Sequence, residues 1–160
     1  MKSSLLIALL CWPLFSTSAQ TQAATESQEQ QTKKSVEVFL QRLGGKDPKL
    51  IASCLAEDID WYIFESSKFP WTGRRTKRSE IETVFKTLFS YFVDGKEKFV
   101  MESFMVDGTE AAIFAQLGRR FKQSGKDFSM YIAIHLKVEN GLITKLYLYE
   151  QTPVLEKAYE

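Results

Sequence analysis

The stretch "YIAIHLKVENGLITKLYLYE", Tyr131 to Glu150, alternates apolar and polar residues on both sides of Asn140-Gly141. Asn and Gly both tolerate positive φ, so this pair between alternating runs is a strong short-range hairpin signal. The stretch therefore reads as two long antiparallel strands. On the first, Phe128, Met130, Ile132, Ile134, Leu136 and Val138 share one face, and Tyr131, His135 and Lys137 share the other. On the second, Leu142, Leu146, Leu148 and Glu150 are assigned inward, with Thr144 interrupting, and Lys145, Tyr147 and Tyr149 outward.

Upstream, the turn dipeptides Asp94-Gly95, Asp107-Gly108 and Ser124-Gly125 separate further runs rich in Val, Ile, Phe and Tyr. They extend the hairpin into a four-strand meander. On its third run Ile113, Ala115, Leu117, Arg119 and Phe121 share the inward face. Before the meander the pattern is helical. Val36, Phe39, Leu40 and Leu43 recur at helical spacing, and Gly44-Gly45 ends that helix. Asp47-Pro48 opens a second helix, expected to run to about Ala56. "IDWYIF" (Ile59–Phe64) is β-rich, "ESSKFPWTGRRTKR" reads as a loop, and "EIETVFKTLFSYF" as an amphipathic helix behind a Ser79/Glu82 capping box. "TPVLEKAYE" reads as a short helix or tail. Helices grouped before one antiparallel sheet make an α+β domain with helices on one sheet face. A strongly bent sheet of this kind forms a cone, with a pocket between its concave face and three helices from the N-terminal half.

The chain has 160 residues and a formal charge of +1, the size of one domain. Lys2, the apolar run "LLIALLCWPLF" and the small residues "STSA" have the form of a signal peptide over 1–19. Polar "QTQAATESQEQQTKK" lacks aromatics, so 20–32 is expected to be a flexible leader and 33–160 the domain. The expected location is periplasmic or secreted, with no stable membrane anchor after cleavage. Only Cys54 would then remain, in an apolar helical pattern, so no internal disulfide can form and the thiol reads as core. The basic cluster "GRRTKR" (Gly73–Arg78) is too local for a nucleic-acid surface. One His and one remaining Cys leave no transition-metal site, and neither a phosphate-cradling glycine loop nor a dinucleotide fingerprint is present. No cofactor is expected.

Two charges break the inward apolar stripes, Arg119 and Glu150. A charge on an apolar face needs a partner or a task. They are the candidate catalytic or ligand-orienting pair. Trp61 and Trp71 are candidates to line or lid the pocket. The acids Glu57 and Asp58 read as the polar turn into the first strand, and Asp60 begins that strand on the face opposite Trp61 and Ile63. The outward Tyr131, His135, Tyr147 and Tyr149 form an amphipathic aromatic face of the sort homodimers bury.

Three blocks carry a family resemblance: "GGKDPKLIASCLAEDIDWYIF", "WTGRRTKRSEIETVF" and "YIAIHLKVENGLITKLYLYE". With these blocks the chain resembles the nuclear-transport-factor-like superfamily, and more closely its SnoaL-like and ketosteroid-isomerase-like branch. The resemblance spans about Lys33 to Glu156. It implies the cone-shaped fold (a cystatin-like α+β roll), a hydrophobic pocket and frequent dimerisation. Isomerases of this branch use a carboxylate base, with a Tyr and a protonated acid stabilising an enolate oxygen. Matched block by block, those three positions fall on Ile63, Phe39 and Ile134 of this chain, none of which can exchange a proton. The Arg/Asp pairing of the related epoxide hydrolases is also missing, since Phe121 follows Arg119 by two and Lys122 follows Arg120. In SnoaL-like cyclases a pocket acid acts as acid/base, and Glu150 is the inward candidate. The expectation is thus an exported domain that binds a small hydrophobic ligand in a pocket of Phe39, Trp61, Ile63, Trp71, Leu117, Ile132, Ile134, Leu146 and Leu148. An isomerase, cyclase or hydrolase using Glu150 and Arg119 is one alternative. A non-catalytic dimeric interaction module is the other.

Overall fold

The computed structural model describes the backbone from Thr17 to Glu160 and side chains from Gln28 onward. Most of the expected signal peptide therefore lies outside the described residues. Element order is α1 (Thr17–Gly45), α2 (Pro48–Ala52), β1 (Leu55–Ile63), β2 (Gly73–Lys77), α3 (Arg78–Tyr91), β3 (Lys98–Asp107), β4 (Glu110–Arg120), β5 (Asp127–Glu139), β6 (Leu142–Glu150) and α4 (Thr152–Tyr159). The sheet has six strands in the order β2-β1-β6-β5-β4-β3 and is bent and unclosed, with helices against its inner face.

The β3-to-β6 meander forms as the turn dipeptides require. Asn140 and Gly141 both have positive φ, 52° and 78°, and β5 pairs antiparallel with β6. Three features differ from the expectation. First, the sheet is mixed, because β1 pairs parallel with β6 (Trp61↔Leu146, Ile63↔Leu148). A parallel partner lies outside the reach of hairpin signals. Second, "GRRTK", expected as a loop, is strand β2, antiparallel to β1. Its residues have low β-propensity, but they face an acidic strand. Arg74 pairs with Asp60 at 2.5 Å, Arg78 with Glu57 at 2.6 Å, and Lys77 with Asp58. Third, β6 shifts register between Lys137 and Val138, so that Val138 faces Ile143. The shift steps past Thr144, and Ile143 is fully buried where Leu142 was expected inward.

Helix ends follow local chemistry. Asp47 accepts from the N–H groups of Lys49 and Leu50 at 2.9 and 3.2 Å, and Pro48 opens the short α2. That helix stops at Ala52, and β1 begins at Leu55, earlier than expected. At α3 the capping carboxylate is Glu80, not Glu82: it accepts from the N–H groups of Thr76 and Lys77 at 3.1 and 3.0 Å. The boundary expected at Lys33 falls inside α1. Thr32 is fully buried and donates to Gly108 O at 2.8 Å, and Ser35 donates to Gly141 O at 3.1 Å. These two bonds dock α1 on the β3–β4 and β5–β6 turns.

The core lies between the concave sheet face and the helices. Val36 and Phe39 of α1, Ile81, Val84 and Phe85 of α3, Ile113 and Ala115 of β4, and the inward residues of β5 are all buried there, with Leu117 of β4 partly buried against them. Burying such side chains stabilises by about 1.5–3 kcal/mol each. An aromatic cluster of Phe69, Trp71, Phe92, Phe121, Phe128 and Tyr159 occupies one end, with Phe92–Phe121 centroids 4.7 Å apart. Helix α4 is strapped over that end by Ser124 Oγ to Ala158 O at 2.7 Å and Ser66 Oγ to Glu156 Oε1 at 2.6 Å.

Candidate functional site

A cavity of about 330 Å³ sits between the sheet and the helices, within the range of small-molecule pockets. Each wall follows from an element already placed. Strand β1 presents Trp61 and Ile63, because alternation turns Asp60 and Tyr62 to the outer side. Strands β4 and β5 present Leu117, Arg119, Ile132 and Ile134, and β6 presents Leu146, Leu148 and Glu150. Trp71 comes from the loop before β2, held by Thr72, whose hydroxyl donates to Phe69 O at 2.7 Å. Phe39 is absent from the lining. It is 2% exposed and packed in the core, because Leu40 and Leu43 turn toward the cavity instead.

Several lining residues were not expected. Phe85, Leu88 and Phe89 of α3 supply one wall, and Phe92, Phe99, Phe128, Met130 and Leu155 complete the apolar surface. The amphipathic pattern of α3 announced an apolar face without saying that it bordered a cavity. Lys46 and Glu97 also reach the lining, and nothing in their local sequence signalled this. Lys46 follows Gly45 with φ 56°, a left-handed turn that sends its ammonium to Glu97 and to Asp94 at 3.0 Å. Burial pushes the Glu97 carboxyl up, but the Lys46 ammonium, a backbone hydrogen bond and the Arg119 charge together outweigh it and hold the group below its usual range. Glu97 raises the Lys46 ammonium in return.

Arg119 and Glu150 are differently placed. Neither forms an ion pair or side-chain hydrogen bond among the described residues, and Arg119 Nε and Glu150 Oε1 are buried without a protein partner. They project from separate strands: Arg119 lies opposite Phe128 on β5, and Glu150 opposite Ile132, four positions further along. The Arg119 guanidinium lies 5.0 Å from the Phe92 ring centroid, a cation–π contact. Burial lowers its pKa, opposed by the charges of Glu97 and Glu150. Burial also raises the Glu150 carboxyl to about 7, and the Arg119 charge only partly offsets it. Near neutrality this carboxyl can therefore both take and give a proton. Trp61 Nε1–H is a third cavity-wall group buried without a partner.

Outside the cavity, other polar side chains have their own places in the fold. Exposed Glu57 and Asp58 and half-buried Asp60 are partners of the β2–α3 basic residues, and Asp60 also accepts from the Tyr147 hydroxyl at 2.7 Å. His135 faces Glu110 on the outer side, Nε2 to Oε2 2.5 Å. Cys54 is a buried free thiol, and burial raises its pKa against the nearby Arg42 charge. Among the described residues no group of three or more His, Cys, Asp or Glu is arranged to hold a metal.

A bent sheet cupping helices around an apolar cavity defines the cone-shaped α+β class. The family model of the SnoaL-like domain matches residues 36–146, and the chain belongs to the SnoaL-like family. None of the curated proteins compared matches the chain by sequence. Solved structures match in fold. An NTF2-like protein from Burkholderia xenovorans has TM-score 0.68 and 18% identity, covering 82% of this chain and 98% of its own. A Catenulispora acidiphila protein with a ketosteroid isomerase-like fold, in complex with trimethylamine, has TM-score 0.65 and 17% identity, covering 78% and 91%. An epoxide hydrolase of the LEH-like type from M. tuberculosis has TM-score 0.60 and 16% identity, covering 82% and 90%.

Proposed function

We propose that this SnoaL-like domain is exported and binds a small, largely apolar molecule in its central cavity. The observation that carries the reading is the cavity of about 330 Å³ walled mainly by apolar side chains. Such concave apolar sites with a few polar groups are the usual form of small-molecule pockets. Ile63 and Ile134 stand in that wall where the family resemblance puts an isomerase's base and acid, which favours binding over that chemistry. Export rests on the 1–19 sequence pattern. Mass spectrometry of the protein recovered from an expressing cell's envelope should find an N-terminus after Ala19; an intact Met1 there rejects export with cleavage. Binding is tested by thermal-shift and native mass spectrometry against steroid-like and polyketide-like compounds, with Leu148→Trp as a cavity-filling control. A ligand that stabilises the wild type and not the control supports the reading. No binding by any compound, or equal binding by both proteins, rejects it.

A second reading is favoured by one observation, the Glu150 carboxyl poised at about 7 in a desolvated wall. In this reading the domain is a proton-transfer enzyme with Glu150 as acid/base and Arg119 stabilising negative charge. Turnover of a bound compound that survives Glu150→Gln unchanged eliminates it.

We also propose a homodimer through the outer sheet face. Tyr147 and His135 are engaged within the chain, but Tyr131 and Tyr149 are 57% and 46% exposed. Register places them around Ala133 beside exposed Phe114, with exposed Val100 and Met105 of β3 on the same face. A contiguous apolar surface of this kind marks a contact site. Sedimentation that finds only monomer at high micromolar concentration overturns the dimer.

A further inference from the structure

We infer that the cavity takes an amphipathic organic acid, whose carboxylate pairs with Arg119 while its apolar body lies against Trp61, Ile134 and Leu148. The inference rests on the ligand-binding reading above and adds the chemical class of the ligand. Four charged residues border the cavity: Lys46, Glu97, Arg119 and Glu150. Lys46 and Glu97 are directly paired, and Asp94 adds a second carboxylate to Lys46, so neither Lys46 nor Glu97 lacks a direct partner. Glu150 lies in a desolvated wall that raises its carboxyl to about 7, so it is mostly neutral only below that pH.

Arg119 remains. Its guanidinium is charged at any physiological pH, it has no ion pair among the described residues, and its Nε is buried without a partner. Its one close companion is the Phe92 ring at 5.0 Å. The charges of Glu97 and Glu150 act on it from a distance, but a buried cation without a direct partner is still costly, and an anion supplied by a ligand lowers that cost. A planar fork of N–H donors fits a carboxylate in particular. A cationic ligand would meet Arg119 as a like charge, and a wholly apolar one would leave the guanidinium unpaired. Trp61 Nε1–H, also partnerless, offers a further donor to an oxygen of the same molecule.

The test compares decanoate with neutral 1-decanol, by isothermal titration calorimetry on the full chain and on Arg119→Met and Arg119→Lys. Wild type should bind decanoate more tightly than decanol. Arg119→Met should lose between about tenfold and a hundredfold for decanoate, the range of one charge-assisted contact, and a much smaller factor for decanol. Decanol binding also reports that the variant is folded. Arg119→Lys should recover part of the loss. If wild type binds decanol but binds decanoate no more tightly, the inference fails while the apolar-pocket reading stands. Failure of both probes to bind the wild type removes both. The wild-type comparison decides the matter even if Arg119→Met does not fold. An Arg119→Met protein that binds decanoate as the wild type does also overturns the inference.

Discussion

Replacing Glu150 by Gln should change how stability depends on pH, and the size follows from the cavity. The carboxyl titrates at about 7 in the folded protein against an ordinary value of 4.5, because burial disfavours its charged form. Between those two pH values the unfolded chain has released the proton and the folded chain still holds it. The folded state then binds more protons, so stability falls as pH rises through this window. About two and a half pH units, at about 1.4 kcal/mol per unit, amounts to about 3 kcal/mol lost between pH 4.5 and 7. Gln is uncharged throughout and cannot show this loss. Urea unfolding of both proteins at pH 5 and pH 8 isolates the effect, since all other titrating groups are shared. The advantage of wild type over Glu150→Gln should shrink by about 2.5 kcal/mol on going from pH 5 to pH 8, since part of the loss is already complete at pH 5. A difference that stays flat across this range refutes the desolvated placement of Glu150.

Other substitutions probe the scaffold. Phe39→Ala should cost about 3–5 kcal/mol by urea unfolding, since Phe39 is core, and should leave ligand affinity intact in whatever fraction remains folded. Asp47→Ala should cost about 1 kcal/mol by removing the acceptor of two α2 amides. Asp60→Asn should cost less than about 1 kcal/mol and the loss should shrink further in high salt, as measured by thermal melting, because its Arg74 partner is exposed.

The meander was legible because its signals are local. Asn140-Gly141 and the alternation around it fix both strands and their inward faces, and those faces carry Ile132, Ile134, Leu146 and Leu148 to the cavity. Arg119 and Glu150 stood out in the sequence as charges in apolar stripes, and both border the cavity. What stayed hidden depended on distant partners. Strand β2 is held by acids on β1, so "GRRTK" alone offers no strand pattern. Phe39 and Leu40 are adjacent on one apolar helix face, and only the packing of α1 decides which one meets the cavity. Lys46 reaches the rim through a left-handed backbone turn, for which a non-glycine residue gives no warning.

The parallel β1–β6 pair also governs how the protein is made. Asp60 on β1 and Tyr147 on β6 are 87 positions apart, so this seam has one of the longest loop closures in the molecule. Trp61 and Ile63 meet Leu146 and Leu148 along it, and these four residues form one side of the cavity. During synthesis the β1–β2 hairpin and α3 emerge well before their partner strand exists. The cavity wall is therefore completed only when the last strand zips onto the first. A truncated or stalled chain has no partial pocket to offer, only the greasy inner face of an unpartnered β1.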